Sequence, residues 1–444
     1  MAQTFENFWD TDIKFTTYIA NKVGNITNLN APFKAHIEGK AKSKTFGPAG
    51  YEMRHYSGHS VNIKMGRPYM DYPNRSQFQM GLYKQVPTTV VLTYAIDQAT
   101  MDAYRSAGAG QVNNEKGSLV RMDDELGILG KGLGHRLDFY LATSDASGKL
   151  ATVTGSPSTT SVPLATTWNG VPANGVGASQ IYPEVDYDVV RPATHAVITS
   201  FTVPFTEKFR INKTTHILDF TGAALSAAPA VGDILVPKGS AYNGIYGFPK
   251  LFDGGKSGLW QGKIVTNSLE DQTMVVDAQS QAINNGLIER GLGKRKIRNM
   301  TTEVQPFELI CGTAQEIEYI SSGWAIFQIN NGAGGTLDTS IEKARYRKSE
   351  LTAFPNIDAD SLFGVDISDI CALKQFGPGV ISPDGLVWRQ AQAAAPAQFG
   401  KGVWYTLYGW IGNFMIENPQ DHFRVKNLFV NPNYPTLATF STTS

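Results

Sequence analysis

Histidines, carboxylates and glycine-rich turns are the residues of this chain that could do chemistry, and each group can be tested against the spacing its chemistry needs. His55 and His59 form the one closely spaced pair among seven histidines. Four residues apart on a helix they would share a face and could hold a metal ion. The intervening Tyr56, Ser57 and Gly58 favour loop or strand instead, which makes the pair ordinary polar surface. The stretch NIDADSLFGVDISD offers Asp358, Asp360, Asp366 and Asp369 as oxygen ligands. It lacks the sixth-position glycine and the closing glutamate of a calcium loop, so a solvated turn is expected. GILGKGLGHR and GLIERGLGKRK both lack the Lys-Ser or Lys-Thr pair that completes a phosphate-cradling loop. The first falls in an amphipathic helix, and the second reads as a basic connection. No serine has the Gly-x-Ser-x-Gly setting of a nucleophile elbow. Cys311 and Cys371 have neither zinc-knuckle nor dithiol spacing and read as buried free thiols. Basic runs at Lys294 to Arg298 and Lys343 to Lys348 could touch phosphate, although such runs are usually solvated faces. No residue is assigned to catalysis, to a cofactor or to a metal, and the chain reads as a non-enzyme.

The bulk numbers point the same way. A chain of 444 residues can bury more than one core. Its 39 basic and 39 acidic residues balance, which argues against affinity built on neutralising many phosphates. With 44 glycines and 22 prolines, turns and irregular connections must be frequent. The N-terminal MAQTFENFWDTDIKF has no basic stretch followed by an apolar run, and no window approaches the roughly 20 apolar residues of a spanning helix. Synthesis in a reducing cytoplasm is the expectation.

The elements that must position any function are α+β in order. Residues 1–32 read as an arm anchored by Phe5, Phe8 and Trp9, or as a short helix packed on its own domain. Residues 33–90 are turn-rich and basic, with Lys40, Lys42, Lys44, Lys64 and Lys84; HSVNIKM and PTTVVLTYAID carry strand patterns, which predicts a long hairpin with little core of its own. The clearest helix is predicted over Leu119 to Thr143, capped by Ser118, with Leu119, Met122, Leu126, Leu129, Leu133, Leu137 and Tyr140 on one apolar stripe. Glycines 127, 130, 132 and 134 oppose it by about 1 kcal/mol each and make sense if another backbone packs closely there. Thr152 to Asn174 reads as a long loop, and 203–260, with AVGDILV, as a small inserted β-module. SLEDQTMVVDAQSQAINNGL is expected to be helical, RGLGKRKIR a connection, EVQPFELICG and YISSGWAIFQI strands, and GVWYTLYGWIGNFMIENP with HFRVKNLFV a strand-rich core.

This order resembles the major capsid proteins of tailed bacteriophages, the Hong Kong 97-type fold, and its branch with an insertion domain. The residues that carry the likeness are the aromatic arm, SVNIKMGRPYMDYP leading to QVPTTVVLTYAID, the helix ending GHRLDFYLATSD, the AVGDILV module and the closing YGWIGNFMIENPQDHFRVKNL. The resemblance implies an N-terminal arm (1–32), an extended loop (33–90) and a peripheral domain with a spine helix (91–150). It further implies an axial domain (151–202 and 261–302) around an insertion (203–260), peripheral return strands (303–345) and an axial or peripheral C-terminal region (346–444). It also implies a shell of hexamers and pentamers around double-stranded DNA, assembled in the host cytoplasm with a separate scaffolding protein, a portal and decoration proteins, and no membrane. Phe5, Phe8, Trp9, Lys40, Lys42, Lys44, Lys64 and Lys84 become candidate contacts between copies; the covalent crosslinking of some relatives is not assigned, Lys64 and Lys84 being candidates for it by location only. Two alternatives stand beside it: a bacterial nanocompartment shell of the same fold, and a β-rich carbohydrate-binding protein or enzyme. Replacing Leu133 by Asp puts a charge on the packed stripe, which ordinarily costs several kcal/mol. Loss of soluble protein is expected on gel filtration, and soluble, assembly-competent L133D protein would overturn the helix assignment.

Overall fold

The computed structural model describes residues 23, 25–45, 50–57, 79–97, 115–165, 167–168, 171–172, 180–182, 185–203, 210–212, 216–220, 224–252, 258–260, 263–265, 273–299, 307–330, 345–346, 349–381, 389–390 and 403–431. The apolar, aromatic run near the C-terminus is the central strand of the first lobe, Val403–Ile416. It pairs antiparallel with Ile370–Ile381 on one side and with Thr88–Asp97 on the other, and Lys42–Lys44 adds in parallel to Ile370–Ile381. Alternation turns Tyr408, Trp410, Phe414 and Ile416 into the core. PTTVVLTYAID is thus a strand as expected, but its partner is this core strand and not the hairpin. Strand pairing is chosen by burial across the whole chain, which local pattern does not reveal.

Helix α1, Pro32–Lys40, replaces the irregular start expected for the 33–90 segment, with Phe33 and Ile37 buried. Helix α2, Glu115–Thr143, ends where the stripe predicts but begins before Ser118, so that serine lies inside the helix and does not cap it. Leu126, Leu133, Leu137 and Tyr140 are buried and Leu129 is partly so; Leu119 and Met122 lie in the helix, their side chains outside the described residues. The close-approach reading of the glycines holds at two positions. A Cβ on Gly130 would meet Ile26 Cγ2 at 2.9 Å, and one on Gly134 would meet the Thr27 carbonyl oxygen at 2.7 Å. The helical residues 25–29 therefore cross α2 backbone to backbone. At Gly127 and Gly132 nothing lies within 4 Å.

Among the described residues of 203–260, strands pair outside that range and do not close into a separate module. Ile217–Asp219 pairs with Ser161–Pro163, and Ile234–Pro237 lies between Asp186–Arg191 and Ala151–Thr152. The Ser/Thr-rich tract after Thr152 thus supplies strands where a long loop was expected. Its side chains Val162 and Leu164 join Tyr187, Leu218, Leu235 and the α2 residues Leu133 and Leu137 in one core. Helix α3, Phe248–Leu251, is seated against the end of α2 because Gly247 has no side chain: a Cβ there would meet Ser144 N and Tyr140 O at 2.6 Å.

A second sheet, in the order Met274–Asp277, Phe423–Lys426, Leu362–Val365, Glu308–Cys311, Ser349–Ala353 and Arg345–Tyr346, forms the second lobe. Helices α4, Asn285–Asn299, and α5, Thr313–Asn330, pack with it. Three expectations are corrected here. TMVVDAQSQAINNGL holds a strand followed by a turn, RGLGKRKIR lies within α4, and YISSGWAIFQI lies within α5. A short apolar run cannot be assigned to strand or helix by period alone. In α4 the cations hide a stripe of Leu287, Ile288, Gly291, Leu292 and Arg295, all buried. The start of α4 is set by Asn284, whose Oδ1 accepts the Leu287 N–H at 3.0 Å.

Because Gly132 faces open space and Gly134 faces backbone, alanine should act oppositely at the two sites. Gly132→Ala is expected to stabilise by about 1 kcal/mol through helix propensity. Gly134→Ala should destabilise by more than that, since the Thr27 carbonyl must move. Denaturant melts of the two variants check the sign; equal effects would refute the backbone crossing.

Candidate assembly surfaces

The first amides of α1 have no cap of their own, because Ala31 stands at the N-cap position. The acceptor comes from α2: Asp138, fully buried, takes the Lys34 N–H at 3.0 Å and the Asn356 Nδ2–H at 2.9 Å. Burial pushes the Asp138 carboxyl up, with those hydrogen bonds acting against it. Lys34 is buried too and reaches Glu38 at 2.8 Å; burial lowers its pKa against the pull of Glu38. Around this polar centre the rings of Phe33, Phe248, Phe252, Phe354 and Phe363 meet edge to face or tilted, with centroids 4.7 to 5.7 Å apart. The aromatic cluster joins α1, α3 and both lobes. His422 closes it against Phe252, its Nδ1 accepting the Asp366 N–H at 3.2 Å, and burial lowers its pKa to about 3.

The lysines expected at contacts between copies are largely engaged within the chain. Lys40 and His36 both bond Glu308, whose carboxyl is raised by burial but brought below its ordinary value by those two partners. Lys42 pairs with Glu417, and Lys84 with Glu52 at 3.3 Å; Lys44 is exposed on its edge strand. Phe5, Phe8, Trp9, Lys64 and His59 lie outside the described residues.

Two surfaces stand out instead. The hairpin of Tyr51–Ser57 and Gln79–Gln85 is rooted by Tyr83 and Gln85, buried near Cys371, Leu373 and Met415. Leu82 and Val86 on its outer side are 57% and 55% exposed. The second surface is the outer face of the first sheet. Register places Thr89, Ile411 and Phe376 in one row, Val91, Gly409 and Gly379 in the next, and Thr93, Leu407 and Ile381 in a third. Val91 and Phe376 are exposed and Ile381, Leu407 and Ile411 half-buried, so this apolar face is partly open. Sequence reasoning missed the sheet face because both flanking partners of Val403–Ile416 had to be known first.

Burial holds the Cys311 thiol far above its ordinary value, and burial with the Glu417 contact at 3.2 Å pushes Cys371 up to about 12, so neither is a nucleophile at neutral pH. Among the described residues no group of three or more His, Cys, Asp or Glu is placed to hold a metal ion. Nor is any described helix long and apolar enough to cross a membrane. The acidic stretch is not a solvated turn: Asp358 is buried 3.8 Å from Arg424, and Asp366 accepts the Ser368 N–H at 3.0 Å to cap the short helical turn Ile367–Asp369.

No family model matches the chain, and no curated protein matches it. Solved structures similar to it in outline include a chain of the cyanophage A-1(L) capsid asymmetric unit, 8% identical, with a TM-score of 0.49, covering 90% of this chain and 93% of that one. A chain from Gordonia phage Cozz is 10% identical, with a TM-score of 0.39, over 89% and 86% of the two chains. A chain from the satellite phage P4 procapsid, which includes a size determination protein, is 10% identical, with a TM-score of 0.35, over 97% and 99%.

Burial raises Asp358 to about 7, the Asp360 charge adding to it and Arg424 and Lys149 opposing it. A carboxyl raised in the fold contributes stability that is complete below its unfolded value near 4 and is lost as pH rises through 7. Asp358→Asn removes that dependence. Its melting temperature relative to the parent is expected to rise between pH 5 and pH 8, by the equivalent of a few kcal/mol at most. A pH-independent difference would show that Arg424 fully compensates the buried charge.

Proposed function

We propose that this chain is a major capsid protein, a structural subunit that associates through rings of six and five copies into the icosahedral head around the double-stranded DNA of a tailed phage. The observation that carries the reading is the hairpin. Beyond its root at Tyr83 and Gln85, Arg54–Ser57 pairs with Gln79–Leu82 in a sheet of two strands only, an arrangement that by itself is at best marginally stable in water. Such a ribbon gains stability when a second copy covers it, and the half-open apolar sheet face supplies another surface of the kind that copies cover.

Closed shells need one chain to accept slightly different neighbours at fivefold and sixfold positions. A rigid body with a projecting, adjustable ribbon meets that need. The two lobes are locked together by the aromatic cluster and Asp138, which leaves adjustment to the hairpin and to residues outside the core. In this reading the first lobe with α2 is the peripheral part, the second lobe with α4 and α5 the axial part, and Tyr51–Gln85 the loop that reaches a neighbour. A separate scaffolding protein, a portal and decoration proteins are the partners. The subunit is part of the virion, assembled in the host cytoplasm, and needs no cofactor.

The deletion that tests the reading must spare the root, since Phe33, Ile37 and Tyr83 belong to the cores. Replacing residues 54–82 by a two-residue Gly-Gly turn is expected to leave a folded monomer that forms no closed shells when co-expressed with its companion proteins. Negative-stain microscopy and gel filtration read the outcome. Normal shells from the deleted chain would defeat the hairpin role, and shells of the intact chain filled with cargo protein in place of DNA would favour a nanocompartment.

A further inference from the structure

A strand at the edge of a sheet leaves the N–H and C=O of alternate residues without a strand partner, and proteins guard such edges with charge, proline, bulges or shortness. Those guards recur through this fold. Lys42–Lys44 is three exposed residues, two of them lysines, and Ala151–Thr152 and Arg345–Tyr346 are two residues long. Ala196–Thr202 breaks its register between Val197 and Thr199, and the hairpin strands carry Glu52, Arg54 and Lys84. At the edge strand Met274–Asp277 the Lys294 ammonium donates to the Val275 carbonyl at 3.0 Å. Among the described edge strands of six or more residues, Thr88–Asp97 departs from the pattern. Its ten residues pair with Val403–Gly412 without one register shift and on one side only, and Thr88 to Ile96 holds neither charge nor proline. For Thr89 to Thr93 no backbone hydrogen bond outside that pairing is found among the described residues. Register sets Val90 beside Trp410 and Leu92 beside Tyr408, yet Val90 and Leu92 are half-buried where the two rings are buried. Val91, on the other face, is 42% exposed. The strand thus lacks a lateral neighbour on both faces among the described residues.

We infer that Thr88–Tyr94 of one copy pairs antiparallel with the same residues of a second copy across a twofold axis at Val91, joining two first-lobe sheets into one. Facing residues of an antiparallel pair lie on one side of the sheet, so the copies match only where open face meets open face. An axis at Val91 does this. Val91 meets Val91 and Thr89 meets Thr93 on the open face, while Val90 meets Leu92 on the core side. Asp97, the strand's one charge, falls outside the paired residues, so no like charges face each other. The edge carries no charge with which to select a foreign strand, whereas a second copy presents the same unpaired groups in the matching order. Such a contact is isologous: one patch serves both subunits, and it closes on itself without leaving a new edge to extend. The inference rests on the shell reading and deepens it, because rings of six and five copies meet one another across twofold positions, where a self-complementary strand belongs.

The test is oxidative cross-linking of single-cysteine variants of the full chain, purified alone and from co-expression with its companion proteins, read by non-reducing electrophoresis. Facing residues bring Cβ atoms close enough for a disulfide. Val91→Cys is expected to give a dimer band, and the parent none, since Cys311 and Cys371 are buried. T89C and T93C should each give none alone, because like residues then stand four positions apart along the strands, about 13 Å. Mixed together, T89C and T93C should give the heterodimer. Val91→Lys sets two like charges on the axis and should abolish dimers and closed shells, while Val91→Thr keeps both; circular dichroism establishes that each variant is folded. Folded V91C without a dimer band defeats the inference, as does a T89C band as strong as that of V91C, which points to another occupant of the edge, or V91K that assembles like the parent. Normal shells in which V91C stays uncross-linked sink the edge pairing alone. A V91C dimer that never closes into shells sinks the shell reading alone.

Discussion

The first turn of α1 has amides to satisfy and no side chain of its own to satisfy them, and the rest of the structure is arranged around the carboxylate that does so from a distance. Asp138 must be buried to reach them, which forces α2 to end against α1 and brings Asn356 of the second lobe to the remaining oxygen. A buried carboxylate that lost these partners would carry an uncompensated desolvation penalty of several kcal/mol. The arrangement therefore holds together or fails together. The rings of Phe33, Phe248, Phe354 and Phe363 then seal the polar centre from water, and α3 is fixed by Gly247 against the last turn of α2.

Rigidity at this junction throws adjustment outward. Ion pairs such as Lys40 with Glu308 tie α1 to the second sheet, and Lys42 with Glu417 ties the edge strand to the end of the central strand, across Ile370–Ile381. Apolar surface left open at the periphery includes Leu82 and Val86 of the hairpin and Val91 and Phe376 of the sheet face. A subunit that repeats itself in a shell needs this division: an interior that cannot change and margins that can.

The parts of this architecture legible in the sequence are those fixed by neighbours in the chain. The stripe from Leu126 to Tyr140 and the close approach at Gly130 and Gly134 could be read because helix period and glycine placement are local signals. The strand at Val403–Ile416 was visible from its aromatic alternation, as were the buried free thiols from their spacing. What was not legible depends on distant partners. Asp138 is 104 residues from Lys34 and 218 from Asn356, and nothing in GHRLDFYL marks it as different from a solvated helix carboxylate. The absence of a capping side chain at Ala31 was the available clue. In α4 and α5 local pattern misled, in the first because cations concealed a buried stripe, in the second because an apolar run shared by helix and strand was read by its alternation.

Pairing between distant strands also sets a clock. Thr88–Asp97 has its place only beside Val403–Gly412, and Met274–Asp277 only beside Phe423–Lys426, so both sheets wait for residues made more than a hundred positions later. At roughly 5–20 residues per second, about 15–60 s separate synthesis of the first strand from that of its partner. During that interval neither lobe has its finished sheet, and the apolar face formed by Val91, Phe376 and Ile411 does not yet exist as a surface. Nascent chains crowded on one message therefore lack this surface for premature association, and a chain broken off before residue 403 never acquires it.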